Sequence, residues 1–284
     1  MRLQDLDTTQ RYKARVLSSH LMTPNAPDEV REIVLEVEGA PDFSVGQSIG
    51  VLAPGDAEFG TKEHLRLYSV SDVPTKTESG AQRLKFAVKR VSYIDDYSGE
   101  RYQGRASNFL CSLDPGEELS VTGPYGTPFR LPDENDANLI LIGMGTGIAP
   151  FRAYVKMLYQ RRPDFDGAVR LFYGGKSGLE LFYMNDERDD FAEYYDRDTF
   201  QAFKALSARP HWEDPIAWDG AITERGQEIW NMLLDHKTYV YLAGQEAIRD
   251  QLDKVFESIA ESPEKWQRRR AELEAGKRWI ELLY

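Results

Sequence analysis

The residues best equipped for chemistry fall into three groups. In HLRLYSVSD, the string Arg66-Leu67-Tyr68-Ser69 lies inside a β-type run. A guanidinium pairs bidentately with a pyrophosphate, a phenol ring stacks on a planar ring system, and a hydroxyl can meet the N5 atom of a flavin. By pattern alone the string reads equally as a half-buried barrel strand with alternate residues facing out. The second group is Gly104-Arg105-Ala106-Ser107-Asn108-Phe109-Leu110, where a glycine followed by Ser and Asn opens a helix. Free backbone N–H groups and a positive dipole end suit a diphosphate there, although a plain Ser N-cap has the same look. Upstream, Tyr93 in VKRVSY can lay its ring on an adenine or simply pack on the barrel. The third group is Gly143-Met144-Gly145-Thr146-Gly147-Ile148-Ala149-Pro150-Phe151-Arg152. Its glycines let backbone approach a pyrophosphate, and Pro150 suits a first helical turn. It is not the G-x-G-x-x-G fingerprint, because Ile148 stands where the third glycine would be.

These groups need two kinds of scaffold. From Tyr12 to about Val121 the chain alternates short β-type runs (YKARVLSS, REIVLEVEG, SIGVLAP, HLRLYSVS, RLKFAVKRV, EELSVTG) with Pro, Gly and Asp, which predicts an antiparallel barrel or sandwich. One helix interrupts it near Ser107 to Leu113. After LPDENDAN the texture changes. NLILIG is a continuous apolar run of the kind that forms a buried parallel strand, and VRLFYGG, FQAFKALS and TYVYLAG follow as strands. With ITERGQEIWNMLLD and AIRDQLDKVFESIA between and after them as helices, the alternation predicts a doubly wound α/β layer. The boundary falls near Asp133 to Asp136, giving domains 1–133 and 134–284.

Composition narrows the function. The 35 Lys+Arg against 47 Asp+Glu leave a net charge of −12, and the two halves on either side of Asp133 are both acidic. No basic domain is present to neutralise phosphates, which excludes a general nucleic-acid binder. Lys265, Arg268, Arg269 and Arg270 read as a solvated basic face. A single cysteine, Cys111, builds neither a disulfide nor a Cys-ligated iron–sulfur or zinc site within the chain, so no metal is expected. No run of 18 apolar residues occurs and the first ten residues are polar, so a cytoplasmic protein without an integral membrane segment is expected.

RLYS, VKRVSY, G-x-x-SNFLC, TGPYGTPF, GTGIAPFR, TYVYLAG and a terminal aromatic occur in order across nearly the whole chain, and together they resemble plant-type ferredoxin–NADP reductases. What the resemblance implies is an antiparallel β-barrel FAD-binding domain followed by an α/β doubly wound NADP-binding domain, with FAD and NADP(H) as cofactors. By that likeness Arg66, Leu67, Tyr68 and Ser69 hold the flavin, Tyr93 stacks on its adenine, and Gly104, Ala106, Ser107 and Asn108 bind around its diphosphate. Val88 and Lys89 are further cofactor contacts. Thr146, Gly147 and Pro150, with Ala243 and Gly244, border the nicotinamide nucleotide. Tyr284 would cover the isoalloxazine face and move aside for nicotinamide. The family's thiol at the Ala243 position is missing, and its acidic residue near the end is displaced to Glu281, from which a proton relay to Ser69 would run. Ser207, Arg209 and Arg225 would grip a 2′-phosphate and Trp218 the adenine, while Asp214 and Asp219 leave NADH open. The implied reaction passes hydride from NADPH to FAD, then single electrons to ferredoxin, a flavodoxin-like protein or an oxygenase component; apart from the resemblance, the basic residues Lys85, Lys89 and Arg90 would steer an acidic partner. The alternatives are an NADH-preferring oxygenase reductase and a flavin-free regulatory relative.

Overall fold

The computed structural model describes residues 3–55, 60–94, 99–210 and 214–284. The chain divides into two compact units, Met1–Arg130 with Ala153–Met157, and Leu131–Arg152 with Leu158–Tyr284.

The first unit carries β1 (Tyr12–Leu21), β2 (Val30–Val37), β3 (Ser48–Pro54), β4 (Glu63–Ser69), β5 (Thr75–Lys76), β6 (Gln82–Lys89), β7 (Ser92–Ile94), β8 (Arg101–Gln103), α1 (Arg105–Cys111) and β9 (Glu118–Tyr125). Seven strands form one antiparallel sheet in the order β4-β3-β9-β1-β2-β6-β5. The sheet curls until its ends meet: Val70, just past β4, bridges Phe86 of β6, and Ser71 N donates to Lys85 O at 2.7 Å. That closure makes the expected barrel and removes most of the open edge. Aliphatic and aromatic side chains at alternate positions fill it, among them Val16, Ile33, Leu35, Ile49, Val51, Phe86 and Val121, with Leu110 and Cys111 of α1 joining the same cluster. The short hairpin β7–β8 stands outside this sheet with all six residues exposed.

The second unit is a five-stranded parallel sheet in the order β12-β11-β10-β13-β14. Its elements are β10 (Asn138–Met144), α2 (Ile148–Arg161, apart from Ala153–Met157), β11 (Val169–Gly175), β12 (Phe200–Leu206), α3 (Trp218–Thr223), α4 (Gly226–Leu234), β13 (Thr238–Gly244), α5 (Ala247–Ile259), α6 (Pro263–Ala275) and β14 (Trp279–Leu283). The central strands are apolar because helices cover them; Leu139, Ile140, Leu141 and Ile142 are all fully buried. Ile140, Ile142, Phe172, Val240 and Leu242 pack with Trp218, Ile229, Ile248, Phe256 and Trp266 of α3, α4, α5 and α6. Strand alternation then turns Leu139, Leu141 and Gly143 to the opposite face.

Three local readings change. ITERGQEIWNMLLD is split between α3 and α4, with Gly226 opening the second helix where a Cβ would lie 3.0 Å from Ile259 Cγ2 of α5. Past α5, the sequence reading placed neither α6 nor β14. Ser262 caps α6 by accepting from Lys265 N at 3.2 Å, with Pro263 following, a start signal that was legible. Nor are the cations of α6 simply a solvated face. Arg269 is buried and its guanidinium donates to the carbonyls of Leu233 and Asp235, while Arg270 pairs with Asp253, Glu274 and Glu281. Lys265 and Arg268 alone keep the exposed role.

Trp266 packs against Phe256, tilted, and Trp279, edge-on, at ring separations of 4.6 and 5.6 Å. Trp266→Ala should therefore cost about 3–5 kcal/mol, whereas Lys265→Ala, one position earlier, should change stability by less than about 0.5 kcal/mol. Thermal melts of the two variants compare them directly; similar losses would contradict this placement of α6.

Candidate functional site

In the first unit the candidate residues lie along β4 and around α1. Arg66, Tyr68 and Ser69 oppose Val51, Ile49 and Ser48 across the β3–β4 ladder. Alternation puts Arg66 and Tyr68 on one face and Leu67 and Ser69 on the other. Arg66 is exposed. Tyr68 leans on the core, its ring 5.5 Å from Phe86, and burial pushes its phenol pKa up so that it stays protonated. The Ser69 hydroxyl shares a hydrogen bond with Ser48 Oγ at 3.2 Å.

Gly104 is the N-cap of α1 and offers no side chain, so backbone N–H groups of the first turn remain for an outside acceptor. A Cβ there would lie 3.0 Å from Ser107 Oγ and 3.1 Å from Val91 O, which makes glycine the fitting residue. The side chains expected to bind around a diphosphate are employed inside the protein. Ser107 Oγ accepts from Val91 N at 3.2 Å, and Asn108 Nδ2 donates to Val91 O and Gly104 O at 2.9 and 2.8 Å. Arg90 ties this clamp down through Asn108 Oδ1, Cys111 O and Glu29. Val88 and Ala106 are buried, so any contact they make with a cofactor runs through backbone. Tyr93 is 56% exposed on its hairpin and stacks on Tyr102 at 5.7 Å, leaving ring area available to a planar ligand. The proposed steering cations are each neutralised: Lys85 by Asp72 at 3.1 Å, Lys89 by Asp28 at 2.5 Å and Arg90 by Glu29 at 2.7 Å.

In the second unit the candidates converge. The strand order reverses between β10 and β13, and at such a switch point the carboxyl ends of the strands open a crevice for ligands. The turn after β10 lies there. Gly145 adopts φ +55 with nothing within 4 Å of where a Cβ would sit, so its backbone faces open space. Gly147 is pressed onto β13: a Cβ on it would lie 2.2 Å from the Ala243 carbonyl oxygen. α2 then begins, with Pro150 in its first turn and its N–H groups and positive dipole end directed at the same crevice. Tyr284 closes the group. Its N–H donates to Gly244 O at 3.1 Å, its hydroxyl hydrogen-bonds Thr146 Oγ1 at 2.5 Å, and Gly147 N–H donates to that hydroxyl. Thr146, Gly147, Ala243, Gly244 and Tyr284 thus meet at one end of one sheet, and Tyr284 itself remains 63% exposed.

Glu281, expected as a proton relay, is held by partners within the second unit. In β14 it opposes Leu242 and so turns to the helix-covered face. Arg249 holds its carboxylate at 2.6 Å, Trp279 Nε1 at 2.7 Å and Arg270 at 3.3 Å. Burial opposes its ionisation, but the hydrogen bonds from Arg249 and Trp279 and the two guanidinium charges outweigh that and hold its pKa below the ordinary carboxylate value. A carboxylate so anchored is an organiser of β14, hence of Tyr284.

Of the residues expected at a 2′-phosphate, Ser207 donates to Asp214 O at 2.8 Å and Arg209 pairs bidentately with the Asp214 carboxylate at 2.8 and 3.3 Å. Arg225 lies over the Phe203 ring at 3.7 Å. Trp218 is not available to an adenine: it is 1% exposed, packs in the core, and donates through Nε1 to Gln251. In HWEDPIAWDG, residues 211–213 lie outside the described residues.

One arrangement had no sequence signal. After β11, Tyr183 takes φ +70, rare for an aromatic residue, with the Arg152 and Arg188 guanidinium groups at 4.8 and 5.1 Å from its ring centroid. Asp190 pairs with both arginines, tying the loop to α2. Arg152 stands within GTGIAPFR, but its partners are remote in sequence.

Comparisons with known proteins place the chain among relatives of known family and fold. The family described as Oxidoreductase NAD-binding domain matches residues 141–254. The chain is 32% identical over 252 residues to the chloroplastic ferredoxin–NADP reductase leaf isozyme 1 of Arabidopsis thaliana, covering 86% of this chain and 69% of that protein. Against the isozyme of Oryza sativa subsp. indica it is 31% identical over 270 residues, 93% and 74% of the two chains. In fold it is similar to the ferredoxin–NADP+ reductase of Plasmodium falciparum, with a TM-score of 0.71 at 20% identity over 99% and 98% of the chains. That protein has also been solved with 2′P-AMP.

Gly147→Ala should destabilise the second unit by about 1–3 kcal/mol, through overpacking on the Ala243 carbonyl; an unchanged melting temperature would contradict the close approach. Glu281→Gln should lower the melting temperature at pH 7. Because the folded pKa is depressed, the stabilisation is present above the ordinary value of 4.5 and is lost as pH falls through the folded pKa, so the two melting curves should converge in acid. A gap that persists unchanged at low pH would remove the ionic anchor.

Proposed function

Because the chain belongs to the ferredoxin–NADP reductase family, we propose that it is an FAD-dependent oxidoreductase that takes hydride from NADPH and delivers electrons singly to a small redox protein, a ferredoxin or flavodoxin. The observation that carries this reading is the meeting of Thr146, Gly147, Ala243, Gly244 and Tyr284 at the strand-order reversal, with the N-terminus of α2 beside them. FAD, when bound, supplies the conversion between a two-electron hydride donor and one-electron acceptors.

The residues present fit both nucleotides. In the barrel unit, read as residues 1–133, the first turn of α1 would hold the diphosphate of FAD by backbone N–H groups and Arg66 by its guanidinium, with the Tyr93 ring under adenine and Tyr68 and Ser69 toward the flavin ring. Ser107 and Asn108 would act from behind, fixing the α1 turn on Val91. In the α/β unit, read as residues 134–284, the Gly145–Gly147 turn and α2 would take the pyrophosphate of the nicotinamide nucleotide. Tyr284 would cover the nicotinamide place in this crevice until the nucleotide displaces it. No proton step is assigned to Glu281, whose part is to hold β14. A cytoplasmic location accords with one buried, unpaired cysteine, and no helix among the described residues is long and apolar enough to cross a membrane.

One observation favours a second reading on nucleotide choice. Asp214 engages both Ser207 and Arg209, and its negative charge disfavours a 2′-phosphate, as an NADH-preferring reductase would require. Anaerobic titration with each nicotinamide nucleotide, followed by the visible spectrum of bound flavin, decides. NADPH should reduce the flavin at lower concentration than NADH, and a preference for NADH would move the assignment to the second reading. A folded protein that takes up no FAD would defeat both. If Arg209 turns to the phosphate, Arg209→Gln should weaken 2′P-AMP binding by roughly 10–100-fold, the worth of a charged hydrogen bond, while leaving NADH binding unchanged. Tyr284→Ser should tighten NADP+ binding and lower turnover; calorimetry showing equal affinity would argue against the covering role.

A further inference from the structure

Tyr173 carries a buried side-chain polar atom, its hydroxyl, with no hydrogen-bond partner among the described residues. The residue is fully buried on β11, where its Cα opposes Gly143 of β10, which in turn opposes Ala243 of β13. By register it faces the same side of the sheet as those two residues, in the row that ends at Leu282 of β14. The Phe182 ring meets it edge-on at 6.2 Å, and the hydroxyls of Tyr183 and Tyr284 and the carboxylate of Glu180 are its electrostatic neighbours. Burial raises its pKa well above the ordinary tyrosine value, so the hydroxyl stays protonated and can donate.

A buried hydroxyl without a partner costs about 1–3 kcal/mol, and phenylalanine would fill the same space without that cost. Folding therefore gives no reason for the oxygen, and its position suggests one. It lies at the carboxyl end of the sheet, one strand from the glycine turn and near the hydroxyl of the residue that covers the crevice. Its surroundings are aromatic rings and an acidic side chain, which disfavour a phosphate. A neutral group that both accepts and donates suits it better, and the nicotinamide end of a dinucleotide offers one, the carboxamide.

We propose that the Tyr173 hydroxyl recognises the nicotinamide carboxamide, which reaches it when the Tyr284 ring moves aside. This rests on the nucleotide reading above and adds a specificity-determining residue to it. The phenol O–H donates to the amide oxygen or its oxygen accepts from the amide nitrogen, and the orphaned atom is satisfied only in the nucleotide complex.

The test compares Tyr284→Ser with Tyr284→Ser/Tyr173→Phe, both as full chains, by calorimetric titration with NADP+ and with 2′P-AMP, which has no nicotinamide. The double variant should bind NADP+ roughly 3- to 10-fold more weakly, the worth of one neutral hydrogen bond, and 2′P-AMP equally well. Equal NADP+ affinities, or the same loss for both ligands, would overturn the proposal. Tyr173→Phe alone, without nucleotide, should melt no lower than the parent; a lower melting temperature would mean the hydroxyl serves the fold, and would also overturn it. A folded Tyr284→Ser protein that binds neither ligand would instead defeat the nucleotide reading, and this inference with it.

Discussion

Everything at the crevice of the α/β unit depends on one close approach, that of the Gly147 backbone to the carbonyl of Ala243. A Cβ on Gly147 would sit 2.2 Å from that oxygen, so the turn after β10 can rest on the end of β13 only because a side chain is missing. Gly145 contributes the left-handed residue that lets the chain reverse before α2 begins. Together they bring the helix N-terminus to the place where strand order reverses, where helix dipole and free N–H groups suit an anionic ligand without any charged side chain.

The second support is electrostatic. Glu281, Arg249, Arg270, Asp253 and Glu274 form a chain of ion pairs linking α5, α6 and β14. Partly buried charges are costly unless paired and hydrogen-bonded, and here each has partners. The outcome is mechanical: β14 is held as the fifth parallel strand, and Tyr284, one residue beyond it, is presented to Thr146 and Gly147. Glu281, near the chain end, is thus an anchor of the strand that carries Tyr284.

In the barrel unit the polar side chains around α1 are structural. Ser107, Asn108 and Arg90 form a hydrogen-bonded clamp that sets the direction of α1. Polar side chains that look like ligands are spent on holding the helix, and no side chain caps its first turn. The cations Lys85, Lys89 and Arg90 are likewise consumed in local pairs, so an electrostatic attraction for an acidic partner cannot be assigned to them on sequence position.

Periodicity carried most of the architecture. Alternating β-branched residues before Val121 announce the barrel, and continuous apolar runs such as NLILIG announce a parallel sheet, because burial on one face or two leaves its mark directly on residue order. Glycine spacing and the helix that follows located the crevice, since steric permission at a turn is a local property. What the order of residues did not reveal was which polar side chains already have partners. Arg269 and Trp218 read as surface or ligand groups yet are core, Asp214 holds the arginine expected at a phosphate, and Tyr173 lies in an apolar run that gives no hint of its unpaired oxygen. Hydrogen bonds and ion pairs join residues tens of positions apart, and their satisfaction is settled only when the tertiary fold brings those groups within about 3 Å.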